Sequence, residues 1–375
     1  MKVLVTGGAG FIGAHLVRRL LDEGCAVSVV DNFSSQVHGD VHDLAPDLKN
    51  HVQLFRGDVR DRDLVCRAME NQDTIVHLAA ETGTGQSMYE VRRYQDANIG
   101  GTATIIDVLV NRTTSRVSKI LVASSRAVYG EGQYRCAEHG TVYPGTRRLD
   151  RLLAGKYDPV CPICQSECIP EATAEDCPIR PLSFYGLTKQ VQEDLVLMFA
   201  RTCGLSAYTL RYQNVYGPGQ SLSNPYTGIL AIFSSLARAN SPIQIFEDGE
   251  ESRDFVFVED AVEATWRCVR EDACSVEAFN VGTGERTAVL QVAKGIVEFF
   301  GSSSEISITG AFRQGDIRHN YADISKVQNA LGFTPRFIFR EGLRGFLDWT
   351  EGREGISAGY ESSLNEMRER GLLYG

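Results

Sequence analysis

Glycine stands at positions 7, 10 and 13, after a β-rich run over 2–6 and before an amphipathic stretch that ends near residue 23. Few arrangements satisfy Gly7-Gly8-Ala9-Gly10-Phe11-Ile12-Gly13 in that setting. A strand must turn sharply into a helix, and the two backbones must pack closely. In a dinucleotide-binding turn, one glycine permits the tight bend and one lets a pyrophosphate approach the chain. A third lets the helix lie on the strand. The helix N-terminus then offers free N–H groups and a positive dipole end to the phosphates. Gly7, Gly10, Phe11, Ile12 and Gly13 are therefore the first candidate cofactor contacts.

The alternation continues. A second β-rich run, 26–30, ends in Asp31-Asn32. An acid at this position accepts hydrogen bonds from the adenosine ribose hydroxyls and repels a 2′-phosphate, which favours NAD over NADP. The run 52–55 leads to Gly57-Asp58-Val59, where Asp58 can meet the adenine amino group. Helical sequence covers 61–70. The run 74–78 opens after Leu78 into Ala79-Ala80-Glu81-Thr82-Gly83, small residues suited to close backbone approach. A long helix is predicted over 91–110 and carries Asn98. The strand 119–123 ends in Ser124-Ser125-Arg126-Ala127-Val128-Tyr129-Gly130. This pattern predicts an α/β fold with a doubly wound parallel sheet of the Rossmann type. Ligands in such sheets bind at the carboxyl ends of strands, where Ser125 stands. The competing reading of Ser124-Ser125 is a plain strand exit.

Tyr185 and Lys189 lie four residues apart in a helical segment running to about residue 200, so they share one face. A phenol ordinarily loses its proton near pH 10. A neighbouring ammonium stabilises the phenolate and lowers that value. The pair can move a proton, although the same spacing arises by chance on many helices.

The net charge of −10 argues against a general nucleic-acid binder and gives no membrane attraction. No apolar run approaches the ~20 residues of a membrane span. The N-terminus lacks the pattern of a secretory signal, so a cytoplasmic location is expected. There, ten cysteines need a reading other than disulfides. Five of them fall between residues 136 and 177. Cys136-Ala-Glu-His139 and Cys161-Pro-Ile-Cys164 form two short-spaced pairs, as in a tetrahedral Cys3His zinc site. Such a closed site would be structural, stapling a segment too polar to build its own core. Cys168 could replace His139, while Cys177 is less well placed. The alternative is four reduced side chains without metal.

Taken in order, Thr6–Gly13, Ser125…Tyr129 and Tyr185-x-x-x-Lys189 closely resemble the extended short-chain dehydrogenase/reductase family. More narrowly, they resemble its nucleotide-sugar epimerases and dehydratases. The resemblance runs to about residue 350. It implies a tightly held NAD, a nucleotide-diphosphate sugar as substrate, and a homodimer built on the helices at 91–110 and 184–202. Tyr185 would be the base, Lys189 would hold the nicotinamide ribose, and Ser125 would bond the reacting oxygen. Asn214 would contact the sugar or phosphates. Arg253 and Arg318 would grip the diphosphate from two directions, since guanidinium groups pair well with phosphate.

The domain plan that follows has an NAD-binding domain over 1–213, interrupted by a Cys-rich insertion at 131–180. A smaller C-terminal substrate-binding α/β domain covers 214–352, with about 254–275 returning to the first domain. The tail, 353–375, is charged and uninformative.

Departures from the family pattern narrow the reaction. Dehydratases of this family carry Asp-Glu after the catalytic Ser/Thr, whereas Arg126-Ala127 stands here. The decarboxylases also use an acid nearby, and the reductases prefer NADP, which Asp31 disfavours. Epimerisation at carbon 4 remains. Arg126 is unusual, either a substrate contact or a residue facing the insertion. Gln86-Ser87-Met88-Tyr89-Glu90 and Asn224-Pro225-Tyr226-Thr227-Gly228 look like the branch of dTDP-L-rhamnose 4-epimerases. UDP-glucose or UDP-N-acetylglucosamine 4-epimerases are the alternative. A non-catalytic NAD-sensing protein is the reading of another class, opposed by the intact Ser125, Tyr185 and Lys189.

Overall fold

The computed structural model describes residues 1–111, 115–222, 224, 226, 228–353 and 358–375. Pro225 and Thr227 of the 224–228 signature lie outside the described residues. Seven strands form one parallel sheet: β1 (Lys2–Thr6), β2 (Ala26–Asp31), β3 (Val52–Arg56), β4 (Thr74–His77), β5 (Lys119–Ser125), β6 (Ser206–Tyr212) and β7 (Val276–Val281). Their order is β3-β2-β1-β4-β5-β6-β7, and every pairing is parallel. Helices cover both faces of such a sheet, so its central strands are apolar on both sides. Val3, Leu4 and Val5 of β1, and Ile120, Leu121 and Val122 of β5, are all buried.

The flanking helices follow from local signals. α1 (Phe11–Asp22) starts at Gly10, which supplies no side-chain cap. α2 (Arg62–Ala68) is capped by Asp61, whose carboxylate accepts from the Asp63 and Leu64 N–H groups. The predicted helix over 91–110 is present, with its winding changed in the middle. Helical residues Val91–Tyr94 pass into a π-turn over Gln95–Gly100, and α3 (Gly101–Val110) follows. Gly100-Gly101 weakens the α-helix there, and inserted turns of this kind mark functional sites. α4 (Phe184–Cys203) is capped by Ser183 and ends at Gly204, in the left-handed region at φ 69°.

A second core gathers Tyr216, Phe255, Phe257 and Phe346 with α5 (Ile229–Arg238), α7 (Val289–Phe300) and α8 (Phe339–Thr350). Between them in sequence, α6 (Val258–Arg270) packs back on α1, with Arg19 and Glu263 paired at 3.0 Å. The returning segment extends past residue 275, because β7 is the edge strand of the large sheet beside β6.

The insertion holds three short antiparallel strands, Tyr134–Cys136, Gly140–Val142 and Ile169–Pro170. One small apolar cluster there is Tyr134, Cys136, Val142, Cys161 and Cys168, with Cys164 against them, while Cys177, Tyr143 and Ile179 pack with Val128 and Tyr129. The described part of the tail, on which the sequence was uninformative, forms regular elements. It contains α9 (Ala358–Glu369) and a last strand, Leu373–Tyr374, paired with Phe312–Arg313. Among the described residues, no helix is long and apolar enough to cross a membrane.

Candidate active site

A cleft of 570 Å³ opens at the carboxyl ends of the strands, where the order reverses between β1 and β4. That is where open α/β sheets bind ligands, and the volume suits a cofactor site. Gly7, Gly10, Phe11, Ile12 and Gly13 line one end. Gly7 has φ +71°, and a Cβ there would stand 2.7 Å from the Ala79 nitrogen. A Cβ on Gly13 would stand 2.1 Å from the Gly7 carbonyl oxygen. The turn therefore accepts no side chain at either position, and the uncapped start of α1 faces the space it leaves.

Asp31 is buried at the end of β2. Its carboxylate accepts from the Ala9 N–H at 3.0 Å and the Phe33 N–H at 2.9 Å, which locks the glycine turn to β2. Asn32 and Asp58 line the same end, with Asn32 donating to Asp58 at 3.1 Å. A two-point bond from Arg60 holds the Asp58 carboxyl below its ordinary value, against partial burial. Val59, Leu78, Ala79 and Ala80 complete this wall. The missing Cβ atoms, the acid and the small residues fit a dinucleotide such as NAD.

Asn98 is placed differently from the sequence expectation. It is fully buried and does not reach the cleft. Its side chain accepts from the Glu81 N–H at 2.8 Å and donates to the Glu81 carbonyl and to Thr188. The π-turn presents it to these groups, so it fixes the β4 exit loop against α4.

Tyr185, Lys189, Ser125 and Arg126 meet at the middle of the cleft. Burial raises the Tyr185 phenol above its ordinary value. The hydrogen bond from Ser125 and then the charge of Arg126 oppose that rise. Lys189 is not among these opposing groups. Its Nζ donates to the Ala123 carbonyl at 2.9 Å, and burial brings its ammonium down to about 7. The two serines of β5 divide their work. Ser124 donates to Glu193 at 2.8 Å inside the fold, while Ser125 turns to the phenol. Arg126 faces the cleft and donates to the Asn214 side chain at 2.7 Å.

At the far end, Arg253 and Arg313 line the cleft and converge on Asp316, at 3.5 and 3.0 Å. Burial alone would raise the Asp316 carboxyl. Arg313, Arg253, Arg147 and Arg126 outweigh it and hold the group at about 2. Arg318 is not part of this wall, contrary to the sequence reading. Its side chain is 2% exposed and binds Asp158 at 3.0 Å, Glu247 at 3.0 Å and Asp248 at 2.7 Å. Its donors are consumed by carboxylates from the insertion and from the loop after residue 245. Arg313 was missed by the sequence reading. The apolar spacing of Tyr360, Leu364 and Met367 in α9, which also lines the cleft, was the available signal for the tail.

In the insertion, the Cys136, His139, Cys161 and Cys164 ligand atoms all lie within 4.8 Å of one another. Cys136 Sγ is 3.6 Å from Cys164 Sγ and 3.6 Å from His139 Nδ1, and Cys161 Sγ is 3.7 Å from His139 Nδ1. A tetrahedral zinc with ordinary bond lengths separates its sulfur ligands by about 3.8 Å. The Ile163 N–H donates to Cys161 Sγ at 3.4 Å, and the Gln165 N–H turns back to the Cys161 carbonyl. The four side chains fit a zinc ion. Cys168 is outside the group, with its thiol on the Ser166 carbonyl.

Residues 4–146 match the family model for GDP-mannose 4,6 dehydratase. Residues 157–282 match that of the NAD dependent epimerase/dehydratase family. The chain is 38% identical over 352 residues to a dTDP-L-rhamnose 4-epimerase of Burkholderia thailandensis, covering 93% of this chain and 94% of the relative. It is similar to the crystal structure of UDP-glucose 4-epimerase from Thermotoga maritima with UDP-glucose, with a TM-score of 0.75 at 30% identity, covering 93% of this chain and 98% of that one. MoeE5 in complex with UDP-glucuronic acid and NAD gives a TM-score of 0.74 at 29% identity, covering 93% and 99%.

Proposed function

The chain belongs to the NAD-dependent nucleotide-sugar epimerases and dehydratases of the extended short-chain dehydrogenase/reductase family, and on that premise we propose that its substrate is dTDP-L-rhamnose, inverted at carbon 4 to dTDP-6-deoxy-L-talose. One observation carries the choice of epimerisation. Ser125, Tyr185 and Lys189 line one cleft, and the two residues after Ser125 are Arg126 and Ala127, neither able to eliminate water as an acid or base. The substrate rests on the 38% relative and on the signatures at 86–90 and 224–228.

Gly7, Gly10, Gly13, Asp31, Asp58 and Lys189 would hold NAD. When bound, it supplies the hydride acceptor, and in reduced form the donor, for carbon 4. Tyr185 takes the proton of the carbon-4 hydroxyl as the C–H pair leaves and the C=O bond forms. Ser125 donates to that oxygen as it becomes a carbonyl. Arg253 and Arg313 keep the diphosphate in place while the 4-keto sugar turns about its linkage. Tyr185 then returns the proton, and the hydrogen rejoins carbon 4 on the opposite face.

The Cys136, His139, Cys161 and Cys164 group holds a structural zinc, supported by the convergence of all four ligand atoms within 4.8 Å and by three separations of 3.6–3.7 Å. Metal bonds there make up for the small size of the apolar cluster. The protein pairs as a homodimer through 91–110 and 184–202. Val110, Phe184, Leu187 and Met198 leave apolar surface exposed on those helices.

The test is incubation with a panel of dTDP- and UDP-sugars without added NAD, following carbon 4 by NMR. Inversion of dTDP-L-rhamnose supports the proposal. Turnover of UDP-glucose or UDP-N-acetylglucosamine alone moves the substrate to the UDP-sugars. No turnover of any sugar leaves the non-catalytic sensor. Tyr185→Phe must lose at least about a hundredfold in rate, the usual worth of a proton-transfer group.

A further inference from the structure

Residues 358–375 reach the cleft from the far end of the sequence. Tyr360, Ser363, Leu364 and Met367 line it. Ser363 spends its hydroxyl on the Tyr360 carbonyl, so the face presented is apolar. Leu364 and Met367 are buried with Leu373, against Tyr89 and Phe246. Met367 also packs beside Gly85, on the loop after β4. A Cβ built on Gly85 would stand 3.4 Å from its sulfur. Two residues further on, Ser87 accepts from the Tyr185 N–H at 3.0 Å.

The chain then turns at Gly371, φ +66°, and its last strand pairs antiparallel with Phe312–Arg313, Leu373 opposite Arg313. The Gln314 N–H donates to the Leu372 carbonyl at 2.9 Å. Tyr374 stacks on Phe312, with centroids 5.2 Å apart and planes at 8°. Among the described residues, Leu373–Tyr374 is the strand partner of Phe312–Arg313. The backbone that carries Arg313 is therefore held in a ladder by the chain terminus. The Arg313 guanidinium lies 5.4 Å over the Phe246 ring and pairs with Asp316. Its Nε is buried without a hydrogen-bond partner. Leaving such a donor unmet costs free energy that a bound anion recovers.

We propose that the C-terminal segment is a substrate-binding element: it fixes Arg313 for the diphosphate of a nucleoside diphosphate and roofs the cleft with Leu364 and Met367. This rests on the nucleotide-sugar reading given above. The segment acts through Arg313, so Leu373 and Tyr374 are positioning residues.

The experiment uses the full-length protein with its NAD. dTDP and UDP binding are titrated for wild type, Leu373→Pro, Arg313→Met and the double variant, and KM and kcat are measured with dTDP-L-rhamnose. Each single variant should weaken dTDP or UDP binding by about tenfold or more, the scale of a charge-assisted hydrogen bond. KM should rise alike and by more than kcat falls, with NAD content unchanged. The double variant should bind within about twofold of Arg313→Met, since residues that act through one another are not additive. Tyr374→Ser, which removes the stack on Phe312 and the long hydroxyl bond to Gln314 at 3.5 Å, covers the case where Leu373→Pro fails to fold. Wild-type affinity in Leu373→Pro or Tyr374→Ser, or a double loss equal to the product of the single losses, overturns the proposal. Wild-type protein that binds neither nucleotide overturns the parent reading, and this one with it.

Discussion

The Lys189 ammonium nitrogen lies 5.9 Å from the centre of the Tyr185 ring and hydrogen-bonds to the Ala123 carbonyl. The i,i+4 spacing puts the two side chains on one face of α4, as the sequence requires. It does not put the ammonium on the phenol oxygen. The groups that oppose the burial of Tyr185 are Ser125 and Arg126, which come from the end of β5.

This division of labour sets a pH dependence. Burial raises the phenol, so its base form is scarce at neutral pH and grows as pH rises. We expect kcat/KM to climb between pH 6 and 9, by up to about tenfold per unit while one proton controls the rate. Arg126→Gln removes a charge that favours the phenolate, so the rising limb should move to higher pH. Burial brings Arg126 itself to about 9, so the shift is seen below that pH. A pH–rate profile checks both. A uniform loss of rate with the limb unmoved would leave Arg126 as a substrate contact alone.

Arg318 and Glu247 form a buried pair, with side chains 2% and 5% exposed. Arg318→Met removes one of the two arginines on buried Glu247, which keeps Arg147 at 2.8 Å, and should cost about 1–3 kcal/mol of stability. Below its melting temperature, the variant should bind dTDP within about threefold of wild type, since Arg318 does not line the cleft. Denaturant melts and nucleotide titration separate the two effects. Wild-type stability with lost affinity would return Arg318 to the diphosphate.

One zinc per chain should survive extensive dialysis. Its removal by a chelator should lower the melting temperature by several degrees, because metal binding and local folding are linked. Cys161→Ser should abolish the zinc and leave the NAD content unchanged, since the insertion does not touch the glycine turn. Elemental analysis with calorimetry reads both. A stoichiometry far below one in wild type removes the metal.

Gly13→Ala should yield a folded chain that is purified without its dinucleotide. The added methyl would meet the Gly7 carbonyl oxygen at 2.1 Å, so the turn must open where the pyrophosphate would lie. Absorbance of the cofactor released on denaturation gives the occupancy. Full occupancy would show that the turn relaxes without cost to binding.

Much of this protein was written in short-range spacing. The β-branched runs and the helices between them give a parallel sheet, and Gly7, Gly10 and Gly13 mark its ligand edge. The two short-spaced pairs, Cys136/His139 and Cys161/Cys164, announce a cluster of four side chains before any fold is known. Covalent spacing determines such features, because it fixes which side chains share a helix face, a strand face or a turn. What it leaves open is where a long polar side chain points. Arg318 is turned from the cleft by Asp248, 70 residues away, and by Asp158, 160 residues away. Asn98 is turned inward by a π-turn and Thr188, and Arg313 is set in place by the last residues of the chain. Tertiary structure decided these because a flexible cation or amide follows its partners, and partners are brought together only by the closed fold.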